Sequence, residues 1–167
     1  MQGLRRRAEA KLQELNVEQP FGLENLCSRL AARRGKPLHL RAIALPARAS
    51  GAWLATDRAD FVFYEKETSA FHQEHIILHE VGHMLADHRP VSIDADDVAQ
   101  LLTHLDAALV GRILTRTGYS TDDEEEAEVF ASTVHHQLRG LSRSPAVTAR
   151  EVRDVLLRLE SAMGNAQ

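Results

Sequence analysis

The chain has 167 residues, 44% of them hydrophobic, with a formal net charge of −4. That length and apolar content fit one domain with a real core and exclude a disordered chain. The mild acidity leaves no overall footprint for direct nucleic-acid binding, and no apolar run approaches a membrane span. The basic groups Arg5-Arg6-Arg7 and Arg33-Arg34 are local and read as solvated helix faces. The lone Cys27 can close no internal disulfide, and the charged stretch from Ala8 to Glu14 stands where a secretory signal needs an apolar core, so a reducing, cytoplasmic setting is expected.

Leu and charged residues alternate at helical spacing from about Arg5 to Leu15, until Glu18-Gln19-Pro20 breaks the run. A second helix is predicted from Leu23 to about Arg33, with Leu23, Leu26 and Leu30 as its apolar stripe, Cys27 on the same side, and Gly35 and Pro37 ending it. The texture then changes. Leu38–Leu45, Ala52–Thr56 and Asp60–Tyr64 are short, rich in Val, Phe, Trp and Leu, and bounded by Pro46, Gly51 and Asp57, as strands are. They predict a small, mainly antiparallel three-stranded sheet. Phe61–Tyr64 falls just before the next helix, where it could be an exposed edge that pairs with an extended peptide or a strand paired on both sides.

The most informative segment follows: His79-Glu80-Val81-Gly82-His83, an H-E-x-x-H pattern in a stretch from Ala70 to Ala86 that contains no Pro and whose one Gly is the motif's own. Leu78, Val81 and Leu85 recur at helical spacing as a buried stripe, and His79 and His83, one turn apart, lie to one side of it. Two imidazoles can then bind one metal ion while Glu80 reaches a coordinated water as general base. His72 and His75 lie one or two turns earlier on roughly the same face and are candidates for the rim of a cleft.

Further helices are predicted over Ala95–Leu102, Ala107–Thr115 and Thr148–Met163. Gly118-Tyr119-Ser120-Thr121 reads as a turn into the N-cap of another helix, Asp122–Leu138. The expected organisation is one α+β domain over 1–167, mostly helical and zincin-like: N-terminal helices in 1–36, the sheet and the metal-site helices in 37–138, and a C-terminal helix in 139–167.

A catalytic zinc site typically takes three protein ligands and leaves a fourth position for water, so a third side chain is needed. Six residues beyond His83 stands Arg89; His88 is one residue short and, on a continued helix, would point almost opposite to His79. The acidic helix offers Glu124, Glu126 and Glu128. Its buried stripe should be Ala127, Phe130, Ala131, Val134 and Leu138, and Glu124 lies nearest the centre of that stripe. Glu128, a turn later on the same side, suits an acceptor for a ligand histidine's second ring N–H. Glu126 lies on the opposite flank, Glu125 faces solvent, and Asp122 and Asp123 suit the helix macrodipole. Glu124 is the preferred ligand, with Glu128 and Glu126 as alternatives. A donor for an oxyanion could come from His135, Tyr119 or Arg112; spacing singles out none of them.

His79-Glu80-Val81-Gly82-His83 followed by Glu124-Glu125-Glu126-Ala127-Glu128-Val129-Phe130-Ala131 resembles the ImmA/IrrE family of bacterial metallopeptidases, with its HE-x-GH and later E-x-E-A-N-x-F-A type motif, over roughly 61–138. The departure is Glu128, where the family often has Asn or Asp. The resemblance implies a gluzincin-like fold, His79, His83 and Glu124 as metal ligands, Glu80 as catalytic base, and a protein substrate of the helix-turn-helix repressor class encoded nearby. Zn2+ is the expected cofactor, although two histidines and a carboxylate also accept Mn2+. Two other readings compete with a peptidase: a latent zincin-fold binding or regulatory module of a toxin-antitoxin-like or phage-regulation pair, and a zinc hydrolase of small molecules. The carboxylate of Glu80 favours hydrolysis, because a module that only binds has no chemical need for it.

Overall fold

Apolar residues at helical spacing set the first two elements: Ala8 and Leu12 are the buried residues of α1 (Gln2–Glu14), and Leu26, Cys27 and Leu30 those of α2 (Leu23–Arg34). In the computed structural model of the chain, the described residues are 2–17, 21–45, 49–89, 91–92 and 118–141. The predicted helices at 95–102, 107–115 and 148–163 lie outside them. Helix α1 stops where Asn16 adopts a positive φ of 49°, and α2 stops at Gly35. Cys27 packs in the core, where burial pushes its thiol up to about 12, so it is a small apolar filler rather than a nucleophile.

Four strands follow: β1 (Leu38–Ile43), β2 (Gly51–Ala55), β3 (Asp60–Glu65) and the two-residue β4 (Val91–Ser92), in the order β1-β3-β2-β4. The α+β class matches the sequence reading; the strand pairing corrects it. Only β2 and β3 are antiparallel, whereas β1 runs parallel to β3 and β4 parallel to β2, so the sheet is mixed and has a fourth strand. Alternating apolar residues say which face of a strand is buried but nothing about which neighbour it chooses, and the β2–β3 hairpin inserts so that β3 lies beside β1. Thr56 closes that hairpin, its Oγ1 accepting from the amide of Ala59 at 3.0 Å. Strand β3 is therefore paired on both sides and is no edge for a peptide.

Helix α3 (Ala70–Leu85) begins at Ser69, whose hydroxyl accepts the amide of His72, and crosses the sheet with Ile77, Leu78, Val81 and Met84 in the core. At its far end the Lys11 ammonium of α1 donates to the Leu85 carbonyl at 2.6 Å. Helix α4 (Thr121–Leu141) packs along α3 through Ala127, Phe130, Ala131, Val134 and Leu138, all buried. The two backbones come very close at Gly82: a Cβ there would sit 3.0 Å from the Ala127 Cα. That contact brings the first turn of α4, one turn before Ala127, level with His79 and His83.

Candidate metal centre

Three donor atoms from α3 and α4 converge. His79 Nε2 lies 3.0 Å from His83 Nε2 and 3.1 Å from Glu124 Oε2, and His83 Nε2 lies 3.8 Å from the same Glu124 oxygen. A tetrahedral ion with bonds of about 2.0–2.1 Å separates its donors by about 3.3 Å, which these spacings bracket. His79, His83 and Glu124 could therefore hold a metal ion, and they are the one such group among the described residues. His83 is fully buried, and that burial, reinforced by the nearby His79 and His88 and opposed by Asp123, holds its imidazole down at about 3. It is consequently neutral, the form with a lone pair to donate.

Glu80 lies beside this group, on the buried side of α3 against β2. Burial pushes its carboxyl up to about 8, the charge of Glu124 adds to this, and a hydrogen bond from the Trp53 backbone N–H opposes it. Among the described residues its Oε2 is buried without a partner. Gly51 makes room for that arrangement: a Cβ there would stand 2.9 Å from Glu80 Oε1 and 2.5 Å from Ile76 Cγ2. One carboxylate oxygen thus stands against the sheet, and the other has no partner among the described residues. Tyr119 completes the wall, its ring stacked on that of His83 with centroids 3.6 Å apart. Its hydroxyl is also buried and unpartnered; burial first, and then the charges of Glu80, Glu124 and Asp123, push its ionisation above the ordinary phenol range. Two orphaned polar atoms beside three convergent donors fit a site built for an ion and a polar ligand, since burying such atoms unpaired is otherwise costly.

The remaining sequence candidates separate clearly. Glu128 Oε2 lies 3.6 Å from His79 Nδ1 and 3.1 Å from His75 Nε2, behind the ligand histidine rather than among the donors. Burial acts against its ionisation, but the hydrogen bond and charge of His75, the hydrogen bond from Ser132 and the charge of His79 together outweigh it and hold the carboxyl below its ordinary value. Glu126 is turned toward His88, at 3.7 Å. His75 lines this second layer; His72 is exposed. His135 is buried against Glu74 at 3.0 Å and stacks on Phe71, away from the three donors. Arg112 lies outside the described residues.

His88 departs from the sequence reading. The helix does not continue: Asp87 takes a positive φ of 54°, the His88 amide donates back to the His83 carbonyl, and the His88 ring lands with Nδ1 2.9 Å from His83 Nδ1. Asp is one of the few residues that tolerate this backbone conformation, but its presence does not demand it. Gly51 had a legible signal, because an isolated glycine beside a strand often marks a close approach.

The edge of the sheet nearest Glu80 belongs to β2. Glu65 donates its amide to the Ser50 carbonyl and Thr56 its amide to that of Ala59, so by the alternation of an antiparallel ladder the peptide groups of Gly51 and Trp53 point away from β3. Strand β4 pairs only with Leu54 and Ala55. Among the described residues no strand takes the outer side of Gly51–Ala52. Comparison of the chain with family models, curated proteins and solved structures found no match.

Proposed function

We propose that this protein is a zinc-dependent endopeptidase. The observation that carries the reading is the convergence of His79 Nε2, His83 Nε2 and Glu124 Oε2 next to a buried glutamate with one unpartnered carboxylate oxygen. A divalent ion held by those three residues would supply Lewis acidity, activating a water and polarising a carbonyl at neutral pH. Glu80 takes the proton of the attacking water on Oε2 and later returns it to the leaving amine, while the Trp53 backbone N–H holds its carboxyl group. The hydroxyl of Tyr119, buried at the same wall, is the donor best placed among the described residues to face the developing oxyanion. Among the described residues no strand pairs with the outer side of Gly51, where an extended peptide can add, and this supports a protein substrate over a small molecule. This replaces β3 as the docking strand.

The resemblance of the two motifs to the ImmA/IrrE family adds the substrate class, a helix-turn-helix repressor encoded nearby; the cytoplasm as the setting rests on the lone Cys27. No helix among the described residues is long and apolar enough to cross a membrane. The test is a cleavage assay on helix-turn-helix repressors encoded beside the gene, comparing wild type with Glu80→Gln and measuring bound zinc in both. The expected outcome is one zinc per chain in each protein and a loss of cleavage of about 10²–10⁴-fold in the variant. A wild type that holds zinc but cuts nothing would turn the reading to the latent module, and undiminished cleavage by Glu80→Gln would remove Glu80 as the base.

A further inference from the structure

His83 can bind a metal through Nε2 only if its single ring proton sits on Nδ1, because a neutral imidazole has one N–H and one lone pair. The partner facing that Nδ1 is neither a carboxylate nor a backbone carbonyl, as is usual for a metal-ligating histidine, but the Nδ1 of His88 at 2.9 Å. His88 must then accept at Nδ1 and carry its own proton on Nε2. Nε2 lies 3.2 Å from Asp123 Oδ1 and 3.7 Å from Glu126 Oε2, so the proton has a carboxylate to point at. The opposite tautomer would set two N–H groups against each other and a lone pair against a carboxylate. Only one assignment satisfies every contact.

Asp123 is itself fixed. Its Oδ2 accepts the amide of Ser120 at 3.1 Å, and its own amide donates to the Ser120 hydroxyl at 3.2 Å, a reciprocal cap on the first turn of α4. Asp123 is also the chain neighbour of Glu124. The contacts from His83 through His88 to Asp123 thus join the ligand-bearing turn of α3 to the ligand-bearing turn of α4. His79 has a looser support, its Nδ1 standing 3.6 Å from Glu128. The side chain of His88 is only 8% exposed, so little water competes for these contacts.

We propose that His88 is a positioning residue of the metal centre, fixing the tautomer and ring orientation of His83 and tying it through Asp123 to the helix that presents Glu124. This role rests on the metal-centre reading and not on the peptidase reading. Zinc affinity, measured on the full chain by competition with a chromogenic chelator, tests it without any substrate. His88→Leu is expected to weaken zinc binding by about 10–100-fold. His88→Gln, whose amide oxygen can accept from His83 and whose amide N–H can donate to Asp123, should recover most of that loss; filling of space alone would favour neither variant in this order. Nitrogen-15 NMR of the zinc-loaded protein supplies the second readout, with His88 expected as the Nε2–H tautomer. Tight wild-type binding that His88→Leu leaves intact, or a His88 proton on Nδ1, overturns the role alone. A wild type that binds no zinc removes the metal centre and the role together.

Discussion

Two buried carboxylates, Asp60 and Glu80, meet the same residue, Trp53, and have opposite fates. Asp60 takes the indole N–H of Trp53 at 3.0 Å, the Arg34 guanidinium at 2.6 and 3.3 Å, and the Lys36 ammonium at 3.2 Å. Burial alone would raise its pKa, but the hydrogen bonds from Arg34, Trp53 and Lys36 outweigh burial and hold it below the ordinary aspartate range. Glu80 has a single backbone N–H from Trp53, a like charge on Glu124, and an oxygen with no partner, and its pKa rises to about 8. Equal burial therefore does not mean equal purpose. A carboxylate paired with two cations and an indole N–H holds elements together, here α2, the start of β3 and the Trp53 side chain; one left half-satisfied is a candidate for chemistry at a cost in stability.

The contrast can be broken most directly by removing each group. Asp60→Ala leaves Arg34 and Lys36 without their carboxylate and should cost about 3–5 kcal/mol in denaturant unfolding of the metal-free protein. Glu80→Gln should stay within about 1 kcal/mol of wild type or exceed it, because a carboxyl raised to about 8 is largely protonated at neutral pH and a neutral amide of the same shape replaces it. Equal losses in the two variants would show that both carboxylates are structural.

A smaller effect separates position from stability. Gly51→Ala drives a methyl into Ile76 Cγ2 and Glu80 Oε1, and overpacking of this kind costs about 1–3 kcal/mol. Because the crowded atom belongs to the proposed base, hydrolysis should fall further, by about 10²-fold, with zinc still bound. Unfolding curves and turnover measured on the same preparation check this; a turnover loss no larger than the stability loss explains would argue against Gly51 as the space that seats Glu80.

The mildest test is the pH dependence of stability in the metal-free protein, where the two groups act with opposite sign. Asp60 has a depressed folded-state pKa, so its contribution is complete above the unfolded value of about 3.9 and is lost as pH falls through the folded value. Glu80 has a raised one, so stability declines as pH rises from the unfolded value of about 4.3 through about 8. Asp60→Asn should flatten the acid arm and Glu80→Gln the alkaline arm in thermal unfolding series. An alkaline arm that Glu80→Gln leaves unchanged would place the titration elsewhere.

The helical parts of the site were readable because a helix states its geometry in its own sequence. The spacing of His79 and His83 put both rings on one side of α3, and Ala127, Phe130, Ala131, Val134 and Leu138 all line the buried stripe of α4, with Glu124 aimed at the two histidines and Glu128 behind His79. Short runs rich in Val, Phe, Trp and Leu, bounded by Pro46, Gly51 and Asp57, likewise located the three longer strands. They could not show that β3 lies inside the sheet, that β1 joins it in parallel, or that β2 is the strand beside Glu80, since those are choices among partners distant in the chain. Tyr119 was one of three equal donor candidates until its stacking on His83 distinguished it.

What the sequence by itself determined is the chemistry: which residues could bind a metal, which carboxylate stands between them, and which faces of α3 and α4 are apolar. Each follows from residue type and the 3.6-residue period over a few turns. Only the tertiary structure decided how those faces meet. The backbone contact at Gly82 sets Glu124 level with the histidines, the removal of bulk at Gly51 seats Glu80 against the sheet, and the left-handed turn at Asp87 brings His88 behind His83. The physical reason is the same in all three cases: close approaches and backbone reversals depend on packing between segments far apart in the chain, and no local period encodes them.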